Sequence, residues 1–131
     1  MDYERAREKA VRSATGNFRR AVRMMRSRDP QELEDGFALL RDIAHEHAPE
    51  LLVEFDRETG YRTRFLLLEL IGESRSPLAF DVLAAELLND DEVFRSRAEH
   101  GLSLLETKEA RRVLWQHQNN RAGFRRPDPM H

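Results

Sequence analysis

The sequence predicts an all-α fold, a solenoid of about four antiparallel helix pairs, with an irregular helical bundle as the alternative. Three observations carry this. The first is an internal echo. Tyr61-Arg62-Thr63-Arg64 returns 33 residues later as Phe94-Arg95-Ser96-Arg97, and Ile71 and Glu73 return as Leu104 and Glu106. A period of that size in helix-favouring sequence marks hairpins that cannot bury their own apolar faces and lean on their neighbours. The second is that apolar residues recur at helical spacing and nowhere alternate with the period of a strand. The third is the shortness of the connections, which turns successive helices antiparallel.

The elements follow in order. Tyr3, Ala6, Ala10 and Ala14 suggest a weak first helix over 3–14, ended by a left-handed Gly16, with Asn17 capping the next. Phe18, Ala21, Val22 and Met25 form one stripe of a helix over 18–28, opposite Arg19, Arg20, Arg23 and Arg26. Asp29-Pro30 with Glu32 reads as a capping box opening a third helix, along which Leu33, Phe37, Leu40 and Ala44 repeat. Gly36 there allows a close neighbour. Pro49 opens a fourth helix, with Leu51, Leu52 and Phe55 apolar and Gly60 closing it.

The fifth helix, 61–73, is apolar nearly all round from Phe65 to Ile71, which suits the middle of a stack. Ser76-Pro77 caps a sixth helix burying Ala79, Phe80, Leu83, Ala84 and Leu87. Asp91 caps a seventh, carrying Phe94, Ala98, Gly101, Leu102 and Leu105, and Thr107 caps an eighth, with Ala110, Val113 and Leu114 inward. No period survives from Asn119 onward. The expected organisation is therefore one domain over 1–118 and a flexible tail over 119–131.

Composition bounds the chemistry. With no cysteine, disulfide frameworks, thiolate nucleophiles and cysteine metal sites are all excluded. No continuous apolar run exceeds four residues, as in Phe65 to Leu68, so no membrane partner is expected. The N-terminus has no secretory core, and a cytoplasmic location is expected. The net charge of −2 conceals a segregation: residues 1–28 sum to +6, 29–60 to −8, 61–92 to −4 and 93–131 to +4. Clustered charge of this kind steers oppositely charged partners.

From Tyr61 to Trp115 the pattern resembles a known family. An Arg near an apolar residue precedes an apolar helix ending Leu70-Ile71-Gly72-Glu73. Ser76-Pro77, an amphipathic helix and Asn89-Asp90-Asp91 follow before the next Arg-bearing start. This resembles the HEAT repeat, particularly the short bacterial type of the phycobilin lyases. The match is clear over 60–116 and degenerate over 17–58, with Leu104-Leu105 replacing Ile71-Gly72 and Ala44 standing where glycine is usual. The resemblance implies a right-handed α-solenoid whose second helices line a shallow concave surface used for binding.

Candidate chemistry is sparse. His45-Glu46-His47 places its histidines at i and i+2, on different sides of a helix, whereas the zinc protease motif needs i and i+4. Asp42 and His45 could share a metal, but no second acid–His pair accompanies them, and His100 and His117 are expected to be exposed. Glu50 and Glu54 lie one turn apart and can both face outward; Asp90, Asp91 and Glu92 read as a capped turn. No nucleophile elbow or phosphate loop is present, so neither an enzyme nor a cofactor is expected. A lyase- or glycosylase-like activity would need a deep pocket with a desolvated carboxylate.

The functional expectation is a scaffold or adaptor that binds another protein along the ridge of its second helices, through Glu50, Glu54, Asp81, Arg112 and Trp115. In its concrete form this is a bacterial immunity-type protein whose acidic middle masks a basic partner such as a nuclease toxin. Trp115 either anchors that interface beside Arg111 and Arg112 or closes the end of the core. The alternative is nucleic-acid backbone binding by the Arg19, Arg20, Arg23 and Arg26 stripe, with Arg111, Arg112, Arg121, Arg125 and Arg126 as a second basic group. The acidic stretch over 29–92 interrupts that track.

Overall fold

The computed structural model describes residues 2–125, and the side chains of 3–9 and 16–120. Within them the chain is all-helical, without strands. The elements are α1 (Asp2–Met25), α2 (Pro30–Ile43), a 3-10 turn (His45–His47), α3 (Ala48–Arg57), α4 (Tyr61–Glu73), a second 3-10 turn (Pro77–Ala79), α5 (Phe80–Glu86), α6 (Glu92–Leu105) and α7 (Lys108–Arg125).

The largest differences from the sequence reading lie near the two ends of the chain, and α1 also stops at Met25 rather than at residue 28. The two expected N-terminal helices are one 24-residue helix that runs through Gly16 without a left-handed turn, so Asn17 caps nothing. Nothing approaches Gly16, and a glycine with no reversal to make only weakens a helix by about 0.5–1 kcal/mol relative to alanine. At the other end α7 continues past Asn119 to Arg125. The rest of the expected tail, residues 126–131, lies outside the described residues.

The caps explain where the other helices start. The Asp29 carboxylate accepts the Gln31 amide at 3.1 Å, but no capping box forms. Ser27 intervenes: its hydroxyl donates to Glu32 at 3.0 Å and accepts the Asp29 amide at 3.1 Å. Ser76 accepts from the Leu78 amide, Asp91 from Val93 and Thr107 from Ala110, as the sequence predicts. The reversals between α4 and α5 and between α6 and α7 use left-handed Arg75 (φ 54°) and Glu106 (φ 55°) rather than glycine.

Packing proceeds along the chain. Helix α1 lies on α2, α2 touches α4, and α4 packs against α3 and α6; α6 meets α5 and α7, and α5 meets α7. Central α4 buries Leu67, Leu68, Leu70 and Ile71, as a helix apolar on most sides must. Leu40, Leu51, Leu83 and Leu102 join them from α2, α3, α5 and α6. Glycines set the closest approaches. A Cβ built on Gly36 would lie 2.6 Å from the Met25 nitrogen, so α2 and α1 touch backbone to backbone.

The 33-residue echo has a physical counterpart. Tyr61 and Phe94, equivalent in the echo, meet edge to face at 5.4 Å, and Phe65 meets Phe94 at 5.9 Å. Arg64 lies 3.9 Å over Phe55, and its equivalent Arg97 lies 5.3 Å over Phe65.

Candidate interaction surface

Helices α3, α5 and α7 carry the residues expected to bind a protein, and α1 with the turn after it carries the arginine stripe. On α3, the residues not turned to Leu51 and Phe55 include Glu50 and Val53, both exposed. Glu50 is 3.6 Å from His47 Nδ1, beyond hydrogen-bond range. Glu54 is not open. Its carboxylate accepts from Arg26 Nη2 at 2.9 Å, while Arg26 Nε donates to Glu58 at 3.0 Å. One residue from each of the two alternative sets thus binds the other, which withdraws both from an external partner.

Burial works to raise the Glu58 carboxyl, but the Gly60 amide and the Arg26 guanidinium outweigh it and hold the group below its ordinary value. Arg19, Arg20 and Arg23 remain exposed and make no hydrogen bond or ion pair among the described residues. Asp81 is exposed in the first turn of α5. Arg112 is exposed on α7, and the Trp115 indole is 64% exposed. Val113, Leu114 and buried Ala110 are the core-facing residues of α7. Trp115 lies across the helix from Val113, so it faces water rather than closing the core. The side chains of Arg121 and Arg125 lie outside the described residues, as does Arg126 altogether.

Other acids are engaged internally. Glu69 on α4 sits between Arg97 (3.1 Å) and Arg41 (3.9 Å), and Glu86 lies 3.7 Å from Arg64. Glu73 approaches His100 at 3.8 Å. These cross-helix pairings were not legible in the sequence, because they depend on which helices become neighbours.

His45 and His47 make internal contacts. His45 Nδ1 is 2.9 Å from the Ser74 carbonyl, joining the first 3-10 turn to the end of α4. His47 stacks on Phe18 at 5.1 Å. His100 is exposed as expected, but His117 is half-buried, its Nε2 facing Glu99 at 3.3 Å. Among the described residues no group of three or more His, Asp or Glu is placed to hold a metal ion.

Shallow depressions mark the surface among the described residues, two of them as follows. One, about 270 Å³, is lined by Asn17, Arg20, Leu39 and Ile43; the other, about 230 Å³, lies between α5 and α7 beside Leu88, Val113 and His117. Neither is lined by a carboxylate. Glu58 and Asp91, the carboxylates with displaced acidity, are both held in the charged form, the opposite of what a general acid needs. Of the expected partner-binding residues, Asp81, Arg112 and Trp115 are exposed and make no hydrogen bond or ion pair among the described residues. Compared with known protein families, curated proteins and solved structures, the chain shows no match.

Proposed function

We propose that this chain is a non-catalytic, cytoplasmic adaptor: a right-handed HEAT-like solenoid that binds another protein through the outward ridge of α3, α5 and α7. The order of contacts from α2 through α4 to α6 supports the solenoid, as does the edge-to-face contact of Tyr61 with its echo Phe94. The observation that carries the binding reading is Trp115, a 64% exposed indole beside unpaired Arg112. Leaving an indole in water forgoes about 1.5–3 kcal/mol of burial, and Trp and Arg are the residues that most often anchor interfaces.

The test is capture from the native cytoplasm by the immobilised full chain and by Trp115→Ala, followed by reconstitution with the purified candidate. A protein that binds the parent chain, and is lost from a variant of equal melting temperature, is the expected result. Identical captures on both baits would end the proposal.

The nucleic-acid alternative keeps unpaired Arg19, Arg20 and Arg23 in its favour but loses Arg26 to Glu54 and Glu58. It predicts a mobility shift in dilute salt that vanishes when those three arginines become alanine.

A further inference from the structure

We infer that the partner presents an acidic segment with an apolar side chain to the outward face of α7; this rests on the protein-binding reading above. On a helix, residues three and four positions from Trp115 share its face, which selects Arg111, Arg112, Gln118 and Asn119, with Lys108 two turns back. All six are exposed and none is a carboxylate. Lys108 and Arg112 have no partner among the described residues, and Arg111 spends one N–H on the Glu106 carbonyl at 3.0 Å. No ring or guanidinium among the described residues stacks on the indole.

Several acids of the chain's middle are already paired, although Glu50 and Asp81 stay exposed, so the sign of the partner is read from α7 itself. Glu54, Glu58, Glu69 and Glu86, which in sequence suggest a basic partner, are already met by Arg26, Arg41, Arg97 and Arg64. The cations of α7 have no such complement. An arriving carboxylate finds fork-shaped donors at Arg111 and Arg112, and an adjacent apolar side chain can cover the indole.

The same face is a poor nucleic-acid platform. Lys108 to Arg112 spans about 6 Å of helix, close to one phosphate spacing, and one indole can stack only one base. Single-strand binders use a charged groove about four or more nucleotides long with several stacking rings.

Trp115 is the only tryptophan in the chain, so its emission reports directly on this face. The probes are a synthetic peptide alternating glutamates with Leu and Phe, the same peptide with lysine for glutamate, and oligothymidine. The glutamate peptide should shift the emission saturably, with affinity falling as salt rises, and the lysine peptide should leave it unchanged. A Lys108→Glu, Arg112→Glu double variant should lose about tenfold or more in affinity at unchanged melting temperature. No shift with the glutamate peptide, an equal shift with the lysine peptide, or tighter binding of oligothymidine overturns the inference. If Trp115→Ala loses a captured partner while the double variant keeps it, the adaptor reading stands and this inference falls.

Discussion

Gly72 on α4 and Gly101 on α6 meet backbone to backbone: a Cβ on either would lie 3.0 Å from the other's Cα. Their helices cross at the centre of the molecule, and Gly101 also receives Leu83 of α5, whose Cδ2 would lie 2.9 Å from an added Cβ. Alanine favours a helix over glycine by about 1 kcal/mol, so the sign of a substitution depends on space. Gly101→Ala should therefore destabilise by about 1–3 kcal/mol, as overpacked cores do. Gly36→Ala, with backbone atoms of α1 at 2.6 and 2.7 Å from its Cβ, should cost at least as much. Gly16→Ala, with nothing within 4 Å, should instead stabilise by about 0.5–1 kcal/mol. Urea melts of the three variants check the ordering, and a stabilised Gly36→Ala would refute the close crossing.

The Arg26 clamp makes a pH prediction. Glu58 has a folded-state acidity below its ordinary 4.5, so it contributes stability that is present above that value and lost as pH falls through the lower folded one. Arg26→Ala should weaken that dependence without abolishing it, because the Gly60 amide still donates to the Glu58 carboxylate at 2.9 Å. Because the Arg26 side chain is 40% exposed, screening limits the loss near neutral pH to about 0.5–1 kcal/mol, shrinking in high salt. Thermal melts of both proteins from pH 6 downward should draw together as pH falls below the ordinary Glu58 value of 4.5. Parallel curves would show that the pair contributes nothing.

How far the fold was legible can be judged from particular residues. Phe18, Val22, Met25, Leu40, Leu83 and Leu102 were readable as core because a helical period states which face is buried. Asp29, Ser76, Asp91 and Thr107 were readable as caps because capping is local. Gly16 misled, since a glycine ends a helix only where the chain must reverse, and that is decided by what packs beside it. Glu54 misled for a related reason. Its outward direction on α3 was readable, but the arrival of Arg26 from 28 residues away depends on where the turn after α1 comes to rest. Candidate sites made of unpaired charges are the least legible, because pairing is a tertiary property. Trp115 was legible only in part: its type suggested either an interface anchor or a closing core residue, and its 64% exposure excludes the second.

Tyr61 and Asp91 predict a coupled titration across the echo. The Tyr61 hydroxyl donates to the Asp91 carboxylate at 2.7 Å, which, with the Val93 amide, holds Asp91 below its ordinary 3.8. The same bond raises Tyr61 above its ordinary 10.0. By linkage, the Asp91 contribution is lost as pH falls through its lowered value, and that of Tyr61 as pH rises through its raised one. Tyr61→Phe should move the Asp91 midpoint back up towards 3.8 in a carboxyl-resolved NMR titration while Asp91 goes on capping α6. An unchanged midpoint would mean that the hydroxyl spends its time in water.

Arg64 offers a sharper test of the joint between α3 and α4, because its geometry discriminates arginine from lysine. Its guanidinium lies 3.9 Å over the Phe55 ring, and Nη1 donates to the carbonyls of Phe55 at 2.7 Å and Glu58 at 3.1 Å. Those carbonyls belong to the last turn of α3 and its connection to α4, where no intrahelical donor is available. Both bonds come from one nitrogen, so an ammonium could replace them in part, but it has no flat face to lay on the Phe55 ring while doing so. Arg64→Ala should cost about 1–3 kcal/mol, from the lost charged hydrogen bonds and the ring contact. Arg64→Lys should recover less than half of that in the same urea melts. Full recovery by lysine would show that charge near the α3 terminus, rather than the stacked fork, holds this joint together.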